Sequence, residues 1–446
     1  MPEKVIEGRR APCYGLFRQY RIGLMPKKFR TGDQTLVREL NRAILLNLLR
    51  VHSPQSRADL AAATGLNKTT VSSLVAELLT TGLAREIGQA SSAGGRPAVL
   101  LELNPEAGCV IGAELGVGYI KIILTDFRAA VLWRQEIALA SGEGPDSVLA
   151  KLIDLVREAA LIADQAGRQI FGLGLGVPGL LDIHSGTLLF GQNLGWRNVP
   201  IRSRLAEAFP FAIFVDNDAK ASVIGERYFG VAQHVDNFVY VMANVGLGVG
   251  IWLDGQVYRG ATGFAGEVGH TTFVPDGPLC NCGNRGCWEM FASQRALIGR
   301  LRSAVIAGRV TCLPASNGSL SDVTMPMIVE AARAGDALVL ETLEDVGGYL
   351  GLVIANLINT FNPNLVVFGG ALSLADEYLF PPIQRMVVER AILWAREATP
   401  IVVAAHRFDS CVMGGVALVL HDMLSHPRFD APVHRPRRMA AHSERR

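Results

Sequence analysis

Between residues 33 and 103 apolar positions recur at helical spacing three times and then switch to strands. Leu36, Leu40, Ala43, Asn47 and Leu48 fall on one helical face, with Arg38, Glu39 and Arg42 outside it. Ser53-Pro54 ends that helix. Ser56-Arg57-Ala58-Asp59 reads as a capping box with Asp in place of Glu, opening a short helix to Thr64, and Gly65 permits a tight turn after it. Asn67 is placed to cap a third helix, in which Val71, Leu74, Val75, Leu78 and Leu79 repeat at i, i+3, i+4, i+7 and i+8. Gly82 ends it, and residues 84–87 and 98–103 read as two strands around GQASSAGGRP.

Beyond Asn104-Pro105 the pattern becomes an alternation of buried strands and amphipathic helices. Strands are predicted at 109–115, 170–177, 211–215, 365–368 and 401–405, with a strand-turn-strand over 238–251. Helices are predicted at 145–167, 219–229, 291–307, 325–360 and 414–424, with a polar loop at 312–321. This is an α/β body. At 446 residues the chain exceeds one core, so two or three domains are expected. There is no apolar run near the ~20 residues that a membrane helix needs, and the N-terminus lacks a signal-peptide pattern. A cytoplasmic protein without membrane contact is therefore expected.

Charge divides the chain further. Residues 1–100 hold 15 Lys/Arg against 7 Asp/Glu, 426–446 hold 6 against 2, and 101–425 hold 22 against 32. A basic front on an acidic body points to a polyanionic partner for the front. The third helix turns Lys68, Thr69, Thr70, Ser72 and Ser73 away from its apolar face, with Asn67 at its start. Short polar side chains there suit base edges and phosphates in a major groove. Arg96 beside Pro97 at the tip between the two strands suits a narrow minor groove, or is simply a solvated turn residue. Residues 33–103 are thus read as a winged helix-turn-helix; the alternative is a small helical adaptor that binds no DNA. Residues 1–32, a basic arm, and 426–446, a basic tail, are expected to be disordered.

The densest chemistry lies at 263–289, GFAGEVGHTTFVPDGPLCNCGNRGCWE. His270, Cys280, Cys282 and Cys287 make an H-x9-C-x-C-x4-C cluster. One imidazole and three thiolates are a closed tetrahedral set for Zn²⁺, with no open position for a catalytic water. Gly283 and Gly286 let the chain fold back on itself. Ordinary buried thiols or a disulfide are the alternative. Cys13, Cys109, Cys312 and Cys411 are scattered and read as packing or free thiols.

G-E-x-G-H over 266–270, followed by C-x-C-G-x-x-G-C-x-E over 280–289, resembles the ROK family, which holds sugar kinases and sugar-responsive repressors. The resemblance covers about residues 105–425. It implies an α/β, two-lobed actin/hexokinase-like body with a sugar in the cleft: lobe I at 105–225, completed by 400–425, and lobe II at 226–399 with the zinc motif. It implies sugar contacts from Asn193, Asn217, Asp218, Glu267, His270 and Glu289. Asp218 corresponds to the kinases' general base; it is otherwise a cap for the next helix. The two nucleotide loops depart from the family pattern. Where kinases carry Asp-x-Gly-Gly-Thr-Lys, this chain has Glu114-Leu115-Gly116-Val117-Gly118-Tyr119; where they carry Thr-Gly-x-Gly-Gly-Gly, it has Val245-Gly246-Leu247-Gly248-Val249-Gly250. Lost hydroxyl and ammonium groups are lost phosphate contacts, and the methyls of Val245 and Val249 are expected to crowd the phosphate space. The expectation is therefore no catalysis, with Asp218 a vestigial base. The protein reads as a repressor-type regulator that binds operator DNA as a homodimer or dimer of dimers and senses a monosaccharide or sugar phosphate, with structural Zn²⁺. The competing reading is an active ATP-dependent sugar kinase carrying a DNA-binding domain.

Overall fold

The structure, a computed structural model, describes residues 34–90, 97–314, 320 and 322–425. Arg96, the basic arm and the basic tail lie outside the described residues.

The N-terminal head packs α1 (Gln34–His52), β1 (Gln55–Ser56), α2 (Arg57–Thr64), α3 (Lys68–Thr80), β2 (Ala84–Gln89) and β3 (Val99–Leu103) into three helices on a β1–β3–β2 sheet. Both predicted caps form. Ser56 Oγ accepts from the Asp59 amide at 3.2 Å and Asp59 Oδ2 accepts from the Ser56 amide at 2.9 Å. Asn67 Oδ1 accepts from the Thr70 amide at 2.7 Å. The buried face of α1 differs from the expected one: Ala43, Leu45, Leu46 and Leu49 are buried, whereas Leu40, Val37 and Ile44 are exposed. Most of α1 is apolar enough that periodicity alone leaves two candidate faces, and packing against α3 and the body chooses between them.

The body repeats one topology twice. In lobe I, β4 (Cys109–Gly116), β5 (Tyr119–Asp126) and β6 (Val131–Ala138) form a meander. Then α4 (Pro145–Gln165) leads to β7 (Ile170–Val177), which pairs parallel with β4. A small antiparallel sheet of β8 (Leu180–Asp182), β9 (Thr187–Gly191) and β10 (Trp196–Val199) follows. Next come α5 (Ile201–Ala208), β11 (Ala212–Asn217) and α6 (Asp218–Phe229). Lobe II begins with the meander β12 (Phe238–Ala243), β13 (Leu247–Leu253) and β14 (Gln256–Val257). It continues through α7 (Gln294–Ile306), α8 (Met325–Arg333), α9 (Ala337–Phe361), β15 (Leu365–Gly369), α10 (Asp376–Arg390), α11 (Leu393–Ala398) and β16 (Ile401–Val403). Strand orders are β11–β7–β4–β5–β6 and β14–β13–β12–β15–β16. Finally α12 (Ser410–Ser425) returns to lie on β4 and β7 of the first lobe and along α6. That approach is backbone on backbone: a Cβ on Gly174 would sit 1.9 Å from Gly415 O.

Several predicted bounds move. Residues 401–403 pair with β15, so they belong to the second lobe's sheet, and α12 alone completes the first. The helix expected over 325–360 is two helices, because Gly335 takes φ +81° and Asp336 caps α9. The helix α10, in a stretch where the sequence pattern predicts no element, carries Pro381 and Pro382 inside it.

The apolar core forms three clusters. One fills lobe II and one lies between α4 and the lobe I sheet. The third runs without interruption from Leu45, Leu49 and Leu74 of the head through α12 and α6 to Phe238 and Trp252 of lobe II. The head is thus packed on the seam of the two lobes.

Candidate functional site

A cleft of about 450 Å³ opens between the lobes, and all six residues expected to touch sugar line it: Asn193, Asn217, Asp218, Glu267, His270 and Glu289. Its floor is the junction of β11 and α6. Asn217, not Asp218, is the principal cap of α6, accepting from the amides of Ala219 and Lys220 at 3.1 Å each. Asp218 is therefore left facing the cleft. Burial raises its carboxyl to about 7, helped by the charge of Glu267 and opposed by the Ala219 amide. Asp216, one residue before Asn217, is clamped by Arg259 through two hydrogen bonds of 3.0 and 2.6 Å. This pair ties the first lobe's floor to a loop of the second.

The wall facing Asp218 is the cysteine loop. His270, Cys280, Cys282 and Cys287 bring their ligand atoms within 4.8 Å of one another. Cys282 Sγ lies 3.7 Å from Cys287 Sγ, and Cys280 Sγ lies 3.7 Å from His270 Nδ1. A tetrahedral ion with bonds of ~2.0–2.3 Å sets its ligands about 3.6–3.8 Å apart, so the spacing fits. Burial and the neighbouring thiols push Cys287 up to about 12; three thiolates share such a space only around a cation. The turn that makes this possible puts Gly286 at φ +64°, where a Cβ would meet Val274 O at 1.6 Å. Trp288, stacked on Phe273 at 4.0 Å between ring centroids, anchors the loop in the lobe II core.

This loop aims its polar residues inward. His270 turns Nδ1 to the sulfurs and Nε2 to Glu267, 4.0 Å away. Glu289, 3% exposed, accepts from the Leu247 amide at 3.1 Å. Asn281, between two of the cysteines, donates to Asn193 Oδ1 at 3.3 Å and so spans the cleft mouth. Sequence reasoning missed Asn281 and Arg259. Nothing in their local pattern distinguishes them from other loop residues.

The other end of the cleft is occupied by the altered glycine loops. The Tyr119 ring lies against Gly116, so that a Cβ there would be 2.1 Å from it, and Tyr119 Oη donates to Glu114 Oε1 at 2.5 Å. Glu114 is 2% exposed, with burial raising it to about 7 against the pull of Lys121 and Tyr119. Its second oxygen has no hydrogen-bond partner among the described residues. Lys121 is 1% exposed and held by Asp409 Oδ1 at 2.8 Å. Val245 and Val249 both line the cleft, but Val249 is 2% exposed. Strand alternation turns it into the lobe II core beside Val239 and Val241, while Gly250 on the other face admits α6. Tyr119 covers Gly116 of the first loop, and the Leu247 amide of the second is spent on Glu289.

In the head, Asn67, Lys68, Thr69, Ser72 and Ser73 of the third-helix segment are exposed and Thr70 is half-buried, opposite the buried Val71, Leu74, Val75 and Leu78. Ser73 accepts from Arg38 Nη2 at 3.1 Å. Pro97 precedes β3 and is half-buried. At the far end of α6 from Asp218, Arg50 of α1 donates to Tyr228 O at 2.7 Å, and its guanidinium lies 4.6 Å from the Tyr228 ring centroid. No helix among the described residues is long and apolar enough to cross a membrane.

Residues 110–422 match the ROK family. The xylose repressor of Caldicellulosiruptor bescii is 36% identical over 398 residues, 89% of this chain and 100% of that protein. A solved ROK family transcriptional regulator, described as a homologue of the Escherichia coli MLC protein, superposes with a TM-score of 0.74 at 29% identity. That match covers 87% of this chain and 97% of its own. A ROK family glucokinase from Streptomyces griseus, solved with glucose and AMPPNP, gives a TM-score of 0.63 at 29% identity. It spans 70% of this chain and 99% of its own.

Proposed function

From the premise that this chain belongs to the ROK family, we propose that it is a sugar-responsive transcriptional repressor and not a kinase. One observation carries the reading. The residues Asn193, Asn217, Asp218, Glu267, His270 and Glu289 converge on one cleft, while at its other end Tyr119 lies on Gly116 and bonds Glu114 within the altered glycine loop. Phosphoryl transfer depends almost entirely on positioning and charge stabilisation of the phosphates, so this end supports no transfer. Asp218 then serves as a hydrogen-bond acceptor rather than a base.

His270, Cys280, Cys282 and Cys287 hold one Zn²⁺. Its part is to fix the loop and the His270 tautomer, leaving Nε2 free for a sugar hydroxyl. In the head, Asn67, Lys68, Thr69, Thr70, Ser72 and Ser73 enter a major groove, and Arg96 and Pro97 of the wing reach the adjacent minor groove. A homodimer, or a dimer of dimers, presents two such heads to a palindromic operator. The helix α6 links the two functions mechanically, with Asp218 at the sugar and Tyr228 under Arg50 of the head. Sugar that draws the lobes together moves α6 and hence the heads, and releases DNA.

The test is an anisotropy titration of the chain's own upstream DNA, at stated salt, with and without candidate sugars. Sequence-specific binding weakened by one sugar is expected, together with no sugar-dependent ADP release. Glu267→Ala is expected to weaken that sugar by roughly 10–100-fold, since hydrogen bonds to charged groups are worth about 1.5–3 kcal/mol. Absence of specific DNA binding under every condition, or ADP release at ~1–100 s⁻¹, rejects the reading.

A further inference from the structure

We propose that the effector is an uncharged, unphosphorylated sugar, and that this cleft rejects sugar phosphates; the inference rests on the sugar-sensing reading above and narrows it. Five carboxylates line the cavity, Glu114, Glu136, Asp218, Glu267 and Glu289, and no lysine or arginine is among the described lining residues. Ionised carboxylates only accept hydrogen bonds, and sugar hydroxyls supply the donors they need. A phosphate ester brings about −1.5 to −2 charge, for which this wall offers amide, hydroxyl and imidazole donors but no lysine or arginine among its described residues.

The nearby cations are already committed. Lys121 is buried against Asp409, Arg259 is bidentate on Asp216, and Lys220, 4% exposed, is balanced by Glu267 and Asp216. Arg259 cannot swing into the cleft without stranding the buried Asp216, which costs several kcal/mol, and Lys121 and Lys220 are themselves buried away from it.

The backbone donors that bind phosphate elsewhere are committed too. A helix N-terminus is ordinarily a ready anion site. Here the first amides of α6, Ala219 and Lys220, are taken by Asn217 Oδ1. In the glycine loop the Leu247 amide is taken by Glu289 at 3.1 Å, and beyond β15 the Ala371 amide is taken by Asn244 Oδ1 at 2.6 Å. The cleft has thus turned its own carboxylates and amides onto the groups that a phosphate would use. Glu136, Glu267 and Glu289 add further carboxylates to the same wall, and among the described lining residues a phosphate there would meet them with no cation between.

Isothermal calorimetry on the full-length, metal-loaded protein tests this with D-xylose, D-glucose and N-acetylglucosamine, each beside its ester phosphorylated on the terminal carbon. At least one neutral sugar is expected to bind, with its ester at least tenfold weaker. Glu114→Gln is expected to narrow that ratio, and so is Glu136→Gln, which lies at the exposed rim where folding is not at stake. An ester that binds as tightly as its parent overturns the proposal while leaving the sensor intact. So does a ratio that neither variant moves, because charge is then not the cause. Heat from neither sugars nor esters sinks the sensor reading itself, and this inference with it.

Discussion

The two ends of the cleft obey different rules. At the sugar end every polar side chain is held by something behind it: Asn217 by the α6 amides, Glu289 by Leu247, His270 by the cysteine loop, Asn193 by Asn281. At the other end the polar groups pair with one another, apart from the second oxygen of Glu114. Tyr119 is turned onto Glu114 at the wall of the same cleft, and Lys121 onto Asp409. A binding site keeps donors and acceptors supported from behind and unspent in front. The other end spends its groups on one another, because an unpaired buried polar group costs about 1–3 kcal/mol. The contrast between the ends is built from hydrogen bonds made, and not simply from residues that differ from the family pattern.

The strongest way to break this contrast is to remove the support behind the sugar end. Cys282→Ser, or prolonged chelation, is expected to release the metal and loosen Asn281, His270 and Glu289 together. Structural zinc contributes folding free energy outright, so melting temperature is expected to drop by several degrees or more, with sugar heat lost in calorimetry. Cys312→Ser, at an exposed thiol outside the cluster, is the control and is expected to change neither. A Cys282→Ser protein with unchanged melting temperature and metal content below one per chain would show that the loop stands without an ion.

A second experiment asks whether the sugar end alone is wired to the head. Arg50→Ala removes the guanidinium from Tyr228 while touching neither the cleft nor the third helix. Sugar affinity and sugar-free DNA affinity are expected to stay within a few-fold of wild type. The factor by which sugar weakens DNA binding is expected to fall by about tenfold, the scale of a 1–3 kcal/mol coupling. Arg50→Lys, which keeps the charge without the planar fork, is expected to lie between. An unchanged factor in both variants places the coupling elsewhere in the shared apolar cluster.

Much of this was legible from the sequence because it depends on short-range pattern. The caps at Ser56 and Asn67, the third helix's two faces and the cysteine spacing are all set within a few residues, and each formed as read. What escaped depends on partners far along the chain. The face that α1 buries is chosen by α3, the lobe seam and α12. Val249 lines the cleft as its loop's departure from the family pattern suggests, but strand alternation packs its side chain into the core, which the loop pattern does not show. Arg259 and Asn281 matter only because folding sets them against Asp216 and Asn193, at separations of 43 and 88 residues. Glu114 was legible as an altered family position, but its pairing with Tyr119 was not, since Tyr119 lies across a turn at the start of the next strand.

That pairing permits the finest test of the contrast, with the smallest effect. Glu114 is buried at the phosphate end, and its carboxyl is raised to about 7 from an ordinary carboxylate value. Above pH ~5 the unfolded chain has this group ionised, while the folded protein still holds the proton. The folded state therefore binds more protons, and the associated stability is fully present in acid and is lost as pH rises through about 7. Between pH 6 and 8 the loss is about 1 kcal/mol for this one carboxyl, or roughly 2 °C of melting temperature in a chain of this size. Glu114→Gln, which cannot ionise, is expected to flatten the profile by that amount, so the readout is the difference between the two proteins and not the wild-type slope alone. The window stays at or above pH 6 to keep the cysteine cluster loaded, because protonation of thiolates releases metal. Parallel melting profiles for the two proteins would mean that Glu114 is ionised throughout, and that this end of the cleft holds a charge instead of a shared proton.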